Sequence, residues 1–170
     1  MPCASGHLQG SAVQLRSTSR AEPAGGRGAG VEDLRLETGS QRCAAVIFGI
    51  GIDLVEIARI RASFDRFGTR FTRRIYTERE TSFCESLADK LPSYAARFAA
   101  KEAFSKALGT GLRGVVAWRE IEINDNERTR PTIAVQGRAK LLLGDRSVYL
   151  SLSHTRDYAT AIVVIEESPR

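Results

Sequence analysis

Four side chains in this 170-residue sequence have the types and settings to handle a phosphate and a metal ion. Glu102 and Lys106 lie four positions apart in the run from Arg97 to Gly111, a spacing that puts both on one face of a helix. A carboxylate and an ammonium on a partly apolar face, beside the turn Gly109-Thr110-Gly111, suit a cation and a phosphate. They suit an ordinary surface ion pair equally well. Asp53 ends the apolar run from Val46, where a carboxylate is costly unless it is paired or bound to a cation. Its position is equally that of an N-cap for a helix beginning at Val55. His154 is the only histidine after the first 45 residues. It follows Ser151 and Ser153 and precedes Thr155 where a strand ends, which suits either a phosphate pocket or a structural imidazole. The chain has no Walker A loop and no Gly-x-Gly-x-x-Gly before a helix, and nothing near Cys84 in sequence would activate it as a nucleophile.

The elements that must position these groups can be read from periodicity. Val46 to Leu54 is β-rich and mostly apolar, consistent with a buried strand. Gly49 and Gly51 alternate along it and leave one face bare, as when another backbone or a ligand approaches closely. Val55 to Phe67 reads as a helix, with Arg59, Arg61 and Arg66, and beyond Gly68 with Arg70, Arg73 and Arg74, set among Ile57, Ile60, Phe64, Phe67 and Phe71. With Glu56 beside these six Arg, so one-sided a surface suits bidentate contact with carboxylates or is an idle basic helix face. Thr77 to Glu80 is a capping box that opens a second helix to about Leu87. Asp89 to Ser93, with Pro92, is expected to break the chain before the central helix, whose end is marked by Gly109.

Beyond Gly114 the period becomes two. Val116 to Ile123 alternates with Glu120 and Glu122 outward, Asn124 to Glu127 is a turn, Pro131 to Val135 a strand and Arg138 to Leu143 a short helix. Ser147 to Ser153 alternates again with Val148, Leu150 and Leu152 inward, and Tyr158 to Ile165 reads as a central strand. The expected fold class is α+β, an antiparallel sheet packed on a long central helix.

Composition bounds the alternatives. A net charge of +5, from 25 Lys and Arg against 20 Asp and Glu, favours an acidic partner without choosing it. Three scattered cysteines without metal spacing read as free thiols in a reducing cytosol, and no apolar run is long enough to span a membrane. Residues 1–45 hold 7 of the 15 glycines and no Ile, Phe, Tyr or Trp, so they are expected to form a disordered extension to a domain covering 46–170. Because folded-type sequence starts abruptly at Val46, a further expectation is that the extension is not made in the cell. An intact mass of the native protein that includes residues 1–45 would refute this.

Three separated segments together carry a resemblance: Gly49-Ile50-Gly51-Ile52-Asp53-Leu54-Val55-Glu56-Ile57-Ala58-Arg59-Ile60, the run from Arg97 to Gly111, and Ser151-Leu152-Ser153-His154-Thr155-Arg156-Asp157-Tyr158-Ala159. In this order and spacing they resemble the holo-[acyl-carrier-protein] synthases, the small bacterial 4′-phosphopantetheinyl transferases. The likeness covers 46–170 and departs at Thr129-Arg130-Pro131, where the family usually has Gly before the basic residue and Pro.

The resemblance implies transfer of 4′-phosphopantetheine from coenzyme A to a serine of apo acyl carrier protein, dependent on Mg2+, with release of adenosine 3′,5′-bisphosphate. It implies Asp53 and Glu102 as metal ligands, and Glu102 and Lys106 as the catalytic pair. Lys106 and His154 would lie near the coenzyme A phosphates, with Arg97, Gly109, Gly111 and Thr155 as further contacts. Arg59, Arg66 and Arg70 correspond to the face that docks the carrier protein. A cytoplasmic homotrimer is implied, with active sites between subunits and Asp53 meeting Glu102 across an interface.

Attack of a hydroxyl on a pyrophosphate phosphorus calls mainly for positioning and cations, which agrees with such a set. The proton acceptor is open between Glu102 and a water that it orients. Two rival readings are a small basic nucleic-acid-binding protein and a non-catalytic module that only binds carrier protein. The first lacks a recognition helix or aromatic-interleaved basic strand, and the second would need neither Asp53 nor Glu102.

Overall fold

A computed structural model describes residues 46–112, 115–124 and 130–168. The expected extension, the turn before Pro131 and the departure at Thr129 lie outside the described residues. The chain opens with strand β1 (Ile47–Glu56), then helices α1 (Ile57–Phe67), α2 (Thr69–Ile75), α3 (Glu78–Glu85) and α4 (Leu91–Ala107). A 3₁₀ turn at Trp118–Glu120 leads to β2 (Ile121–Asn124), and β3 (Thr132–Val135), α5 (Gly137–Leu143), β4 (Ser147–His154) and β5 (Tyr158–Glu166) complete it. The strands form two antiparallel sheets, one in the order β1-β5-β4 and a second of β2 and β3.

The larger sheet lies on α4, as the α+β reading expects, and the alternation of β1 explains the closeness of the fit. From Gly49 onward its odd-numbered residues face α4. A Cβ on Gly49 would overlap the carbonyl oxygen of Ala107, and one on Gly51 the carbonyl oxygen of Ala103. The bare glycine face is therefore where the helix backbone sits, and Ala95, Ala96, Ala99, Ala100, Ala103 and Ala107 keep the facing helix equally slim.

The expectation that β1 is a buried strand fails on its other face. Ile50, Ile52 and Leu54 are 61 %, 59 % and 63 % exposed, because β1 is an edge strand with α4 on one side only. Tyr149, Tyr158 and Ile162 extend that apolar face onto β4 and β5.

Several boundaries differ from expectation for identifiable reasons. β1 runs on to Glu56, because its pairing with β5 continues to Tyr158, so Asp53 is inside a strand and caps no helix. Pro92 lies in the first turn of α4 rather than ahead of it, where its missing N–H has no intrahelical partner to lose. Val116 to Glu120 forms no strand, since Glu120 is drawn away to accept from the backbone N–H groups of Ala117, Arg138 and Ala139 and so tie off the start of α5. The capping box is present as expected, with Thr77 Oγ1 accepting from Glu80 N and Glu80 Oε2 from Thr77 N.

Glu80 also anchors α4. The fully buried Lys101 ammonium donates to Glu80 Oε2 at 2.7 Å and to the carbonyls of Ile75, Trp118 and Ile121 at 2.9, 3.0 and 2.6 Å. Burial pushes the Lys101 pKa below its usual value, and the Glu80 carboxylate opposes that shift. Four segments are thus tied to one helix position beside Glu102. Lys101→Met is expected to lower unfolding stability by about 3–5 kcal/mol, because it leaves the Glu80 charge buried and alone. Urea denaturation checks this, and Glu80→Gln added to Lys101→Met should recover part of the loss.

Candidate active site

The C-terminal half of α4 and the middle of β1 build the first part of the site. Lys106 donates from Nζ to Asp53 Oδ1 at 2.8 Å and to the carbonyl oxygen of Ile52 at 3.0 Å. Glu102, half-buried, precedes Lys106 by one turn and so shares its face. The backbone of Asp53 is fixed from the other side by Thr160 Oγ1, which donates to its carbonyl at 2.8 Å. Asp53, Glu102 and Lys106 therefore lie along one flank of α4, in one chain. The contact that reaches Asp53 within the chain is the one from Lys106. The glycines of β1 let the strand press against its own α4, which brings Asp53 to Lys106 directly.

The helix ends immediately after this cluster in a Schellman motif. Gly109 N donates to Lys106 O at 2.9 Å and Thr110 N to Ser105 O at 3.2 Å, with φ of 74° at Gly109 and 62° at Gly111. Both glycines are in the left-handed region, so their first job is to stop the helix.

The remaining expected residues gather on the opposite flank. Arg97 and Glu102 are five residues apart, about 140° around the helix. Arg97 is 1 % exposed, with its guanidinium 4.3 Å from the centre of the Phe83 ring and Nη1 donating to Ser93. Arg97, Ser93, Phe83, Arg130, Pro131 and His154 line a cleft of about 620 Å³ between α4 and β4. His154 is exposed at the end of β4. Thr155 Oγ1 accepts from the N–H groups of Asp157 and Tyr158, so its hydroxyl shapes the β4–β5 turn. Arg130 is a charged cleft residue that sequence reading did not assign to the site. Its signal was its place before Pro131, in the segment where the chain departs from the family pattern.

Arg59, Arg66 and Arg70 are all exposed, the first two on α1 and the third on α2. Cys84 is fully buried, and burial pushes its thiol pKa up, which agrees with its exclusion as a nucleophile.

The oxygens gathered at the Lys106 ammonium are the Asp53 carboxylate and the Ile52 carbonyl, with the Glu102 carboxylate one helical turn away, and oxygen ligands suit a hard divalent cation rather than a soft one. Two of these oxygens already accept from a cation, the Lys106 ammonium. Among the described residues no three His, Cys, Asp or Glu side chains converge as a ligand set, so any ion here would complete its shell with water or substrate oxygens.

Over residues 49–163 the sequence matches the family described as the 4′-phosphopantetheinyl transferase superfamily. The chain belongs to that superfamily, and it is an enzyme of the holo-[acyl-carrier-protein] synthase type. It is 48 % identical over 125 residues to the holo-[acyl-carrier-protein] synthase of Koribacter versatilis, covering 72 % of this chain and all of that one. It is 47 % identical over 120 residues to that of Chlamydia trachomatis serovar L2, covering 71 % of this chain and all of the relative.

Among solved structures, it is similar to the holo-[acyl-carrier-protein] synthase of Neisseria meningitidis, with a TM-score of 0.66 and 38 % identity over 72 % of this chain and all of that one. The Bacillus anthracis enzyme, solved in complex with coenzyme A (3′,5′-ADP), gives a TM-score of 0.63 and 38 % identity over 74 % of this chain and all of that one. Among the described residues no helix is long and apolar enough to cross a membrane.

Proposed function

We propose that the enzyme transfers 4′-phosphopantetheine from coenzyme A to a serine hydroxyl of apo acyl carrier protein, with Mg2+, releasing adenosine 3′,5′-bisphosphate. The observation that carries the reading is the Asp53–Lys106 contact at 2.8 Å, with Glu102 one turn away on the same flank. A magnesium ion bound by Asp53 and Glu102 would neutralise charge on the pyrophosphate oxygens. The serine oxygen forms its bond to the β-phosphorus as the bond from that phosphorus to the departing adenosine bisphosphate oxygen breaks. Lys106 faces the charge that gathers on the leaving phosphate, and the Glu102 side takes up the serine proton. Arg97, Arg130 and His154 in the cleft hold the nucleotide phosphates, with Thr155 next to His154 and with Gly109 and Gly111, beside the Lys106 cluster, as further contacts.

The two groups of residues lie on opposite flanks of α4, and the strand order β1-β5-β4 places their strands at opposite edges of the sheet. Bringing them onto one substrate requires a second copy, His154 and Arg97 of one subunit facing Asp53 and Glu102 of the next. The exposed apolar face of Ile50, Ile52, Leu54 and Ile162 supplies a surface for such an assembly, and we assign it to a cytoplasmic homotrimer.

The exposed guanidiniums of Arg59, Arg66 and Arg70 are the docking face for the acidic carrier. Arg59→Glu should raise KM for carrier protein at least tenfold and leave that for coenzyme A within about twofold, and steady-state kinetics with each substrate varied checks this. Mass spectrometry of apo carrier protein incubated with enzyme, coenzyme A and Mg2+ tests the whole reading. A phosphopantetheine-sized gain on one serine, absent when Mg2+ is removed, is expected. Binding without a mass gain would leave only a carrier-binding module.

A further inference from the structure

We propose that Lys106 is a displaceable guard on the cation site, holding Asp53 when the enzyme is empty and surrendering it when a divalent ion binds. The inference rests on the reading of Asp53 as a metal ligand and adds a second role for Lys106. Its ammonium lies 2.8 Å from Asp53 Oδ1 and 3.0 Å from the Ile52 carbonyl oxygen, so it occupies the two oxygens best placed to receive a cation from β1.

A magnesium ion approaches a carboxylate oxygen to about 2.0–2.1 Å and tolerates little distortion. An ammonium on the same oxygen would both crowd the ion and repel it, so ion and Lys106 compete for Asp53. The competition is reversible because the Lys106 end of the pair is open to water. The Lys106 side chain is 47 % exposed and that of Asp53 15 %, and such pairs hold only weakly. The four-carbon stem of lysine lets Nζ swing away without moving α4, whose position is fixed by Lys101 one turn of packing away.

The guard gives the site an order of events. The empty enzyme has Asp53 neutralised and a low affinity for free divalent ions. A polyphosphate offers Lys106 an alternative partner, which frees Asp53, so phosphate binding and ion binding reinforce one another.

Mn2+ alone serves as the probe, titrated into the full-length enzyme without coenzyme A, the free ion being followed by its electron paramagnetic resonance signal. Four proteins are compared: wild type, Lys106→Met, Asp53→Asn and Lys140→Met. Lys140, whose Nζ reaches the Gly144 carbonyl on α5, removes the same charge away from Asp53.

Lys106→Met should bind Mn2+ roughly three- to tenfold more tightly than wild type, while Lys140→Met should match wild type. An unchanged constant in Lys106→Met, equal tightening in Lys140→Met, or no measurable binding by either wild type or Lys106→Met overturns the guard. Asp53→Asn separates the two levels. Loss of binding there, with no gain in Lys106→Met, sinks the guard but keeps Asp53 as a ligand, whereas wild-type binding in Asp53→Asn sinks both.

Discussion

On the proposed metal site, Glu102→Ala and Asp53→Ala are each expected to lower phosphopantetheine transfer roughly a thousandfold or more, since several kcal/mol of charge stabilisation at the phosphoryl centre would go with the cation. Neither change should unfold the protein. Glu102 is only half-buried, and Asp53 is in a strand whose position is set by Gly49, Gly51 and the pairing with β5 rather than by its carboxylate. Rate measurements at saturating coenzyme A and carrier protein, alongside thermal melts, check both halves. A variant with a wild-type melt and wild-type turnover would remove that residue from the metal site. If both act through one ion, as proposed, the two changes should also combine without adding.

The second large effect concerns assembly. Ile52→Asp puts a charge in the middle of the exposed apolar face formed by β1, β5 and β4, where Ile50, Leu54 and Ile162 are its neighbours. In an isolated chain this residue faces water, so the fold should survive with little change in melting behaviour. In an assembled trimer the same carboxylate would be buried without a partner, at a cost of several kcal/mol per subunit. The expected outcome is a folded monomer by light scattering with activity reduced at least a hundredfold, since each active site would lose the His154 and Arg97 of its neighbour. A monomer of undiminished activity would show that one chain completes its own site.

Much of this was legible in the sequence, and the failures share a cause. The bare face of Gly49 and Gly51 announced a close approach by another backbone, and that backbone is α4. The i, i+4 spacing of Glu102 and Lys106 and the stop at Gly109 were local features, and they held. Sequence could not show that Asp53 meets the Lys106 face of its own chain, because that contact spans 53 positions. It suggested a buried β1, since an apolar strand reads the same whether its second face meets its own chain or another copy. Glu120 looked like an outward residue of a strand because its role in tying off α5 depends on a segment some 18 residues later. The buried Lys101 was hidden for the same reason. Its partners Ile75, Glu80, Trp118 and Ile121 come from both sides in sequence, and a lysine beside Glu102 gives no local sign of being enclosed.

Subunit mixing tests whether the site is divided across the two flanks of α4. Glu102→Ala and His154→Ala, each nearly inactive alone, are co-expressed and the mixed assemblies purified. If a working site takes Glu102 from one subunit and His154 from the next, about a quarter of the sites in a random mixture are intact, and transfer to apo carrier protein should return to about that fraction of wild type. Activity no greater than that of the two variants assayed separately would contradict that division and return both residues to a site within one chain.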